Sequence, residues 1–404
     1  MLCHVKGVLM FVSEDGLAAD FRYVDIPMRN DPRADMAARL PAQIQPFLSW
    51  LTAKPAPGEE AVPRRPTAYV IEAVMLVLLG CVLSVLALTW FSIGSLAFWP
   101  LLAGGLLATT SGLGIFQVVI FHHCSHGTVF PTRQQNRFAG RLVSAILLFK
   151  HFDAYAREHM VHHNANKLFT MEDEYTDFVV NICDFSTSHS RGQLWRRLLV
   201  LLVSPAFHMN FMNKRVRGSL RSPDRRHNLL GISVWSGLFL AALAGHMVVA
   251  FCIAWVLPVT VLLQIATVFR ILCEHRLPAP EVIAGRGRNL VCQSTAGVFA
   301  GMRPPARGLT RVAAASAWAM WWANMLIVQM FVRLFVLVGD APCHDFHHRR
   351  PGKRWTDYSH ARQADLESGC PGFPLNYVDT WGLFRAVDEN FIAMAAAPAD
   401  VFGL

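Results

Sequence analysis

The sequence predicts an all-α integral membrane protein with two transmembrane helical hairpins, four spans in all, interfacial helices and a histidine-rich cap on the cytoplasmic side. Three observations predict this fold class. Of the 404 residues, 53% are hydrophobic and 16% are charged, a balance typical of membrane proteins. Residues 67–121 and 228–269 contain no lysine or arginine, so they are apolar enough to enter a bilayer. Three short clusters of histidine follow or separate the apolar stretches.

The net charge of +9 is distributed according to the positive-inside pattern. Basic residues crowd two segments between the apolar stretches, at 133–150 and 191–226. This placement argues against a nucleic-acid partner, because the charges flank apolar stretches and form no basic domain of their own. We therefore expect these segments to face the cytoplasm and anionic lipid headgroups, and the protein to lie in a bacterial inner membrane.

Two pairs of apolar stretches are long enough to span a bilayer. Tyr69–Phe91 and Leu96–Phe121 form the first predicted hairpin, and Leu229–Gly245 and His246–Ile271 form the second. A fifth stretch, Val312–Gly339, is long enough for one crossing. A single crossing would place the last histidine cluster on the opposite side from the others. We therefore expect this stretch to lie along the interface or against the bundle.

The segments outside these spans have simpler expectations. Residues 1–66 form an N-terminal cytoplasmic or interfacial segment of unknown role, in which Asp31 caps a short helix that extends to Leu40. Leu142–Phe149 is too short to cross the bilayer and Leu194–Met212 carries arginines, so both are expected to be interfacial. Residues 386–404 form a C-terminal tail.

The histidine clusters have helical spacing. His159-Met160-Val161-His162-His163 and His344-Asp345-Phe346-His347-His348 both read H-x-x-H-H, and a third cluster is His122-His123-Cys124-Ser125-His126. Positions i, i+3 and i+4 share one helical face, so each H-x-x-H-H directs three imidazoles the same way. Three converging faces supply eight imidazoles. That number exceeds the four ligands of a tetrahedral zinc and suits two metals of higher coordination number.

Two hairpins with H-x-x-x-H after the first, H-x-x-H-H in the middle loop and H-x-x-H-H near the C-terminus resemble the membrane fatty-acid desaturase superfamily, which includes alkane and carotenoid hydroxylases. The resemblance covers about Tyr69–Trp381 and implies a desaturase-like domain at 67–385 with a cytoplasmic di-iron cap. Arg270-x-x-x-Glu274-His275 is similar to the additional histidine site of some members. On this basis the metal ligands are His122, His126, His159, His162, His163, His275, His344, His347 and His348.

One position departs from the pattern of many relatives, because His123 stands where an acid is usual. His123 and His126 are spaced i, i+3, so His123 is an alternative to His122 as a ligand. Carboxylates beside the clusters are candidates to accept the outer N–H of ligand imidazoles. The residues expected to orient or tune the ligands are Glu274, Asp345, His123, Arg270 and Asp177, with Glu158, Asp173 and Asp340 as further carboxylates.

An unactivated alkyl C–H bond has no acidic proton, so its oxidation requires a cofactor. The resemblance implies an O2-dependent fatty-acyl desaturase that uses two irons and external electrons to form a carbon–carbon double bond. Two alternatives stay open: a di-iron hydroxylase or acetylenase acting on an acyl, alkane or terpenoid substrate, and a histidine-rich metal-binding or transport protein of the membrane. The sequence does not distinguish an acyl group carried on a lipid from one carried on coenzyme A or a carrier protein.

The electron source is expected to be a separate protein. The nine cysteines include no C-x-x-C pair and no set suited to an iron–sulfur cluster or a rubredoxin-like site. A donor such as a ferredoxin or a cytochrome is therefore implied, and the basic cytoplasmic surface would suit an acidic one.

Overall fold

The computed structural model describes residues 31–62, 64–398 and 401–402, which are mostly helical. Residues 1–30 of the N-terminal segment and part of the predicted tail lie outside the described residues. In chain order the helices are α1 (Pro32–Arg39), α2 (Gln45–Thr52), α3 (Pro66–Trp90), α4 (Phe98–Ser125), α5 (Arg133–Leu147), α6 (Phe152–His162), α7 (Arg191–Val203), α8 (Pro205–Leu220), α9 (Arg225–Ala244), α10 (Val248–Glu274), α11 (Pro280–Gly285), α12 (Gly287–Ser294), α13 (Arg311–Phe335), α14 (His344–Arg349), α15 (Tyr358–Glu367) and α16 (Leu383–Ala396). Short helical turns lie at 42–44, 174–182, 341–343 and 355–357, and the strand β1 (Gly297–Phe299) pairs in parallel with β2 (Asp379–Trp381).

Five helices of the described chain are long and apolar enough to cross a membrane: α3, α4, α9, α10 and α13. The first four lie at the positions predicted for the two hairpins. α3 and α4 pack closely because small residues line their interface. A Cβ atom at Gly105 would lie 2.7 Å from the backbone nitrogen of Ser84, and one at Gly112 would lie 2.7 Å from the carbonyl oxygen of Ala73.

The fifth of these helices, α13, covers the stretch for which we expected no crossing. The indole nitrogen of Trp321 donates to the carbonyl of Met302, 3.1 Å away, in the segment before the helix. Near the C-terminal end of α13 the buried Arg333 donates to the carbonyls of Trp50 at 3.0 Å and Gly339 at 2.9 Å. Length and composition make α13 a candidate span, so the four-span topology stays a prediction.

The described part of the N-terminal segment packs on α13. Asp31 caps α1, as predicted, and accepts a hydrogen bond from the backbone N–H of Arg33 at 2.9 Å. The apolar faces of α1 and α2 then form a separate core cluster with the middle of α13, made by Met36, Leu48, Leu51, Trp321 and Met325. The segment therefore belongs to the folded cap.

A buried charge network connects the cap elements. Lys54 forms ion pairs with Asp379 of β2 and, at 2.8 Å, with Asp31. The buried Arg362 of α15 pairs with the same Asp379 at 2.8 Å and with Asp345 of α14 at 2.7 Å. The network thus fixes α14, which carries the last histidine cluster, against β2 and the N-terminal segment.

The C-terminal helix α16 is part of the core. Val387, Phe391 and Met394 are buried in the apolar cluster that also contains Leu272 of α10. The boundary that we expected between residues 385 and 386 falls inside this helix.

Candidate metal centre

Nine histidines converge where α4, α6, α10 and α14 meet. Eight of them form two groups in which one nitrogen of each ring lies within 4.8 Å of the others. The first group is His122, His126, His159 and His347, and the second group is His162, His275, His344 and His348. All nine of the histidines expected to bind metal are therefore brought to one place, with His163 as the ninth.

His163 lies beside the first group. Its Nε2 is 3.0 Å from Nε2 of His159 and 2.9 Å from Nε2 of His347. Its ring also stacks on that of His348 in the second group, with centroids 4.5 Å apart. Five imidazoles thus surround one position and four surround the other, and the two positions are neighbours.

The H-x-x-H-H spacing distributes each cluster between the two groups. On α6 and the residue after it, His159 and His163 face the first group, whereas His162 faces the second. On α14 the division is reversed: His347 belongs to the first group, and His344 and His348 belong to the second. In each cluster, the two histidines spaced i, i+4 therefore belong to one group, and the histidine between them belongs to the adjacent group.

His122, and not His123, lies in the first group. A π-helical stretch at Ile115–Phe121 immediately precedes His122, and such irregular turns are frequent at functional sites. His123 is fully buried, and its Nε2 lies 2.8 Å from Oδ2 of Asp340. Its ring stacks on Trp355 at 4.7 Å. His123 therefore supports the turn that bears the ligand candidates.

Two carboxylates determine which ring nitrogen carries the proton in His159 and His162. Oδ1 of Asp173 lies 2.7 Å from Nδ1 of His162, and Oε1 of Glu174 lies 3.1 Å from Nδ1 of His159. An ionised carboxylate only accepts hydrogen bonds, so each Nδ1 carries the proton. The Nε2 lone pair of each ring then faces the group, which is the arrangement that a metal requires.

Two tyrosine hydroxyls lie within hydrogen-bond distance of the outer nitrogens of other ligand candidates, and each can accept a hydrogen bond from Nδ1. The hydroxyl of Tyr358 lies 3.1 Å from Nδ1 of His347, and that of Tyr155 lies 3.4 Å from Nδ1 of His122. We did not identify either tyrosine, nor Glu174, from the sequence. Tyr155 precedes His159 by one helical turn, so periodicity could have placed it beside that histidine. Its contact with His122, like those of Glu174 and Tyr358, joins separate elements.

The other residues expected near the ligands have different partners. Glu274 accepts a hydrogen bond from Arg270 at 2.7 Å, and its second oxygen lies 3.9 Å from Nδ1 of His344. Among the remaining carboxylates, Asp345 pairs with Arg362, Asp340 with His123, Glu158 with Lys150, and the exposed Asp177 accepts from Asn181. Glu274 and Arg270 thus lie beside the second group, whereas Asp345 acts through the position of α14.

Burial keeps most of these imidazoles neutral. Desolvation, reinforced by neighbouring imidazoles, lowers the pKa of His159, His163, His275, His344, His347 and His348 well below the usual value. The same causes lower the pKa of His126 to about 3. For His162, burial is outweighed by the negative charge of Asp173, which raises its pKa.

The two groups therefore bring imidazole nitrogens close enough together to hold a cation between them. Nε2 of His122 lies 2.8 Å from Nε2 of His347, and Nε2 of His162 lies 3.0 Å from Nε2 of His275. Where the outer nitrogen holds the proton, two such Nε2 atoms cannot hydrogen-bond to each other. Neutral imidazole suits Fe, Zn, Cu and Ni. Sets of four and five nitrogens would suit a metal that takes more than four ligands.

The family of the chain follows from comparison with known proteins. The family model described as fatty acid desaturase matches residues 96–381. The chain belongs to the fatty acid desaturase family. The matched region extends from the first hairpin to β2 and contains all nine histidines of the two groups. A search of the curated proteins found no match.

Membership of the fatty acid desaturase family is consistent with what the site can do. It indicates an oxidoreductase of the membrane that acts on acyl chains, and the histidine groups are compatible with iron binding. The five apolar helices fit an integral membrane location.

Proposed function

We propose that this protein is a di-iron, O2-dependent fatty-acyl desaturase that introduces a carbon–carbon double bond into an acyl chain at the cytoplasmic face of a bacterial inner membrane. The observation that carries the proposal is the convergence of nine histidines into two adjacent groups, of five and four, in a chain of the fatty acid desaturase family. A single zinc site would use four ligands at most in a structural role.

The imidazoles of the first group with His163 would hold one iron, and those of the second group would hold the other. When bound, the two irons supply the O2-dependent redox chemistry that no side-chain acid or base performs on an alkyl C–H bond. The protein's own residues hold the ligands. Asp173 and Glu174 keep protons on the outer nitrogens of His162 and His159, so that the inner lone pairs stay directed at the metals.

The surroundings suit an apolar substrate. α4 and α10 approach the histidines through buried apolar residues such as Val118, Val119 and Leu272. An acyl chain from the bilayer would meet a dry site there, which protects the oxidant from water.

Electrons would come from a separate donor of the ferredoxin or cytochrome type. The described cysteines take no part in either histidine group. The basic segments between the hairpins offer a cationic surface to an acidic donor.

Metal content and product mass test the proposal. We expect two irons per chain in detergent-purified parent protein, and a loss of iron in His275→Ala. The matched control is His246→Ala, which removes a histidine from the turn between α9 and α10. Stoichiometric zinc in the folded protein would refute the di-iron assignment. With iron present, a product lacking two hydrogens supports desaturation, whereas a product that has gained oxygen would show a hydroxylase.

A further inference from the structure

A cavity of about 770 Å³ lies between α7 and α8, in a segment to which we assign no part of the metal chemistry. Its floor is apolar and includes Leu201, Phe207 and Phe211. Its rim is polar and strongly basic, with contributions from Arg196, Arg197, Lys214 and Arg217. An apolar floor and a cationic rim together suit an amphiphile that carries negative charge.

Most of the positive charge at the rim is not neutralised. Arg197 forms an ion pair with Asp184, the one carboxylate that lines the cavity. Within 31–62, 64–398 and 401–402, Arg196, Lys214 and Arg217 have no acidic side chain within ion-pair distance. Lys214 and Arg217 are spaced i, i+3 on α8, so their side chains project from the same face.

The cavity borders a surface of exposed apolar side chains on α7 and α8. Leu199, Val200, Val203 and Met209, beside the cavity on α7 and α8, are 58–78% exposed. Exposed apolar side chains next to basic ones are the composition of helices that lie in a membrane interface.

α8 is also tied to the membrane helices. Its Arg215 donates to the carbonyls of Leu147 and Val259, both at 2.7 Å, and Val259 belongs to α10. α8 then leads through a short turn into α9. The cavity is therefore held against the membrane-spanning candidate α10 and beside the start of α9.

We propose that this cavity binds an anionic glycerophospholipid, with its phosphate between Lys214, Arg217 and Arg196 and its acyl chains over the exposed apolar residues of α7 and α8. Guanidinium and ammonium groups are the usual partners of phosphate. The apolar floor and its continuity with the lipid-facing surface favour a lipid over a soluble phosphate compound. The residues that line the cavity are separate from the two histidine groups.

Lipid binding to the full-length protein in uncharged detergent tests this proposal. Phosphatidylglycerol is titrated against the parent, against Lys214→Gln/Arg217→Gln, and against the matched control Arg221→Gln/Arg226→Gln, which removes the same charge outside the cavity. Each cation near an anionic headgroup changes binding by roughly fivefold. We therefore expect the cavity variant to bind about 25-fold more weakly, the control to bind like the parent, and phosphatidylcholine to bind weakly to all three.

Two results would overturn the proposal. The first is equal affinity of parent and cavity variant for phosphatidylglycerol. The second is displacement of the lipid by equimolar coenzyme A or inorganic phosphate, which would show that the cavity recognises a soluble phosphate compound. Iron content and the thermal unfolding midpoint serve as folding controls, so a cavity variant with parental values loses lipid affinity through the cavity itself.

Discussion

The carboxylate of Asp173 offers a sharp test of how the protein prepares its ligands. Asp173 is fully buried, and its oxygens accept three hydrogen bonds: from Nδ1 of His162 at 2.7 Å and from the backbone N–H groups of Phe169 at 2.8 Å and Tyr175 at 3.0 Å. The substitution Asp173→Asn preserves the volume but removes the charge. It also replaces one acceptor with an NH2 group, which faces a donor whichever way the amide is turned.

The expected loss can be worked out from these contacts. A hydrogen bond to a charged group contributes about 1.5–3 kcal/mol. Removing the outer partner of a ligand imidazole weakens metal binding by about 10–100-fold, which corresponds to about 1.4–2.7 kcal/mol. The negative charge of Asp173 also raises the pKa of His162 against the effect of burial, so its removal makes Nε2 a weaker donor to the metal. We therefore expect one of two metals to be lost first, from the second group.

Competition with a chelator measures this difference. Iron retained per chain is followed as chelator is added to the parent, to Asp173→Asn, and to Asp177→Asn, which neutralises an exposed carboxylate four residues away. The control should match the parent. Parental affinity for both metals in Asp173→Asn would refute the role assigned to the carboxylate. Loss of both metals together with a lower unfolding temperature would show that Asp173 serves the fold and not one site.

Three further substitutions have defined expectations. Tyr358→Phe removes one hydrogen bond to a ligand imidazole, worth about 0.5–1.5 kcal/mol, so chelator competition should show metal binding weakened by about 2–10-fold. Arg362→Ala leaves the buried carboxylate of Asp345 without its cationic partner, while Asp379 keeps Lys54. The substitution should lower the free energy of unfolding by about 3–5 kcal/mol, whereas Arg385→Ala, at an exposed pair, should lower it by less than about 1 kcal/mol; thermal unfolding in detergent compares them. Gly105→Ala forces a Cβ into α3 and should lower the free energy of unfolding by about 1–3 kcal/mol. The added Cβ of Gly104→Ala lies in open space, so this variant should unfold at or above the parental temperature.

Sequence reasoning located the site because its main signals are periodic. The i, i+3, i+4 spacing places imidazoles on one face, and apolar length identifies the hairpins whose ends carry them. The spacing did not show that His162 serves a different site from His159 and His163, because that division depends on the positions of α10 and α14. Glu174 and Tyr358 were missed for the same reason. Their hydrogen bonds join elements whose approach no local pattern specifies.

Asp345 was expected from the sequence to contact a ligand imidazole, but it has a different partner. Its place beside a ligand candidate favoured a direct hydrogen bond to an imidazole, yet in the structure its carboxylate is bound by Arg362. On a helix, residues i and i+1 do not face each other, so adjacency in sequence is a poor guide to contact. A buried acid that is adjacent to a ligand in sequence can therefore fix the position of the helix that carries the ligand, instead of the protonation state of the imidazole.

The orientation of α13 illustrates what composition alone cannot decide. Hydropathy measures only whether a helix is long and apolar enough to cross. The histidines add a constraint, because Nε2 of His347, which follows α13, lies 2.8 Å from Nε2 of His122 at the end of α4. β1 precedes α13 and pairs with β2, which follows the last histidine cluster. The chain before α13 and the chain after it thus belong to the same cap. This arrangement is the one expected of a helix that does not cross the membrane, so it favours the four-span prediction independently of hydropathy.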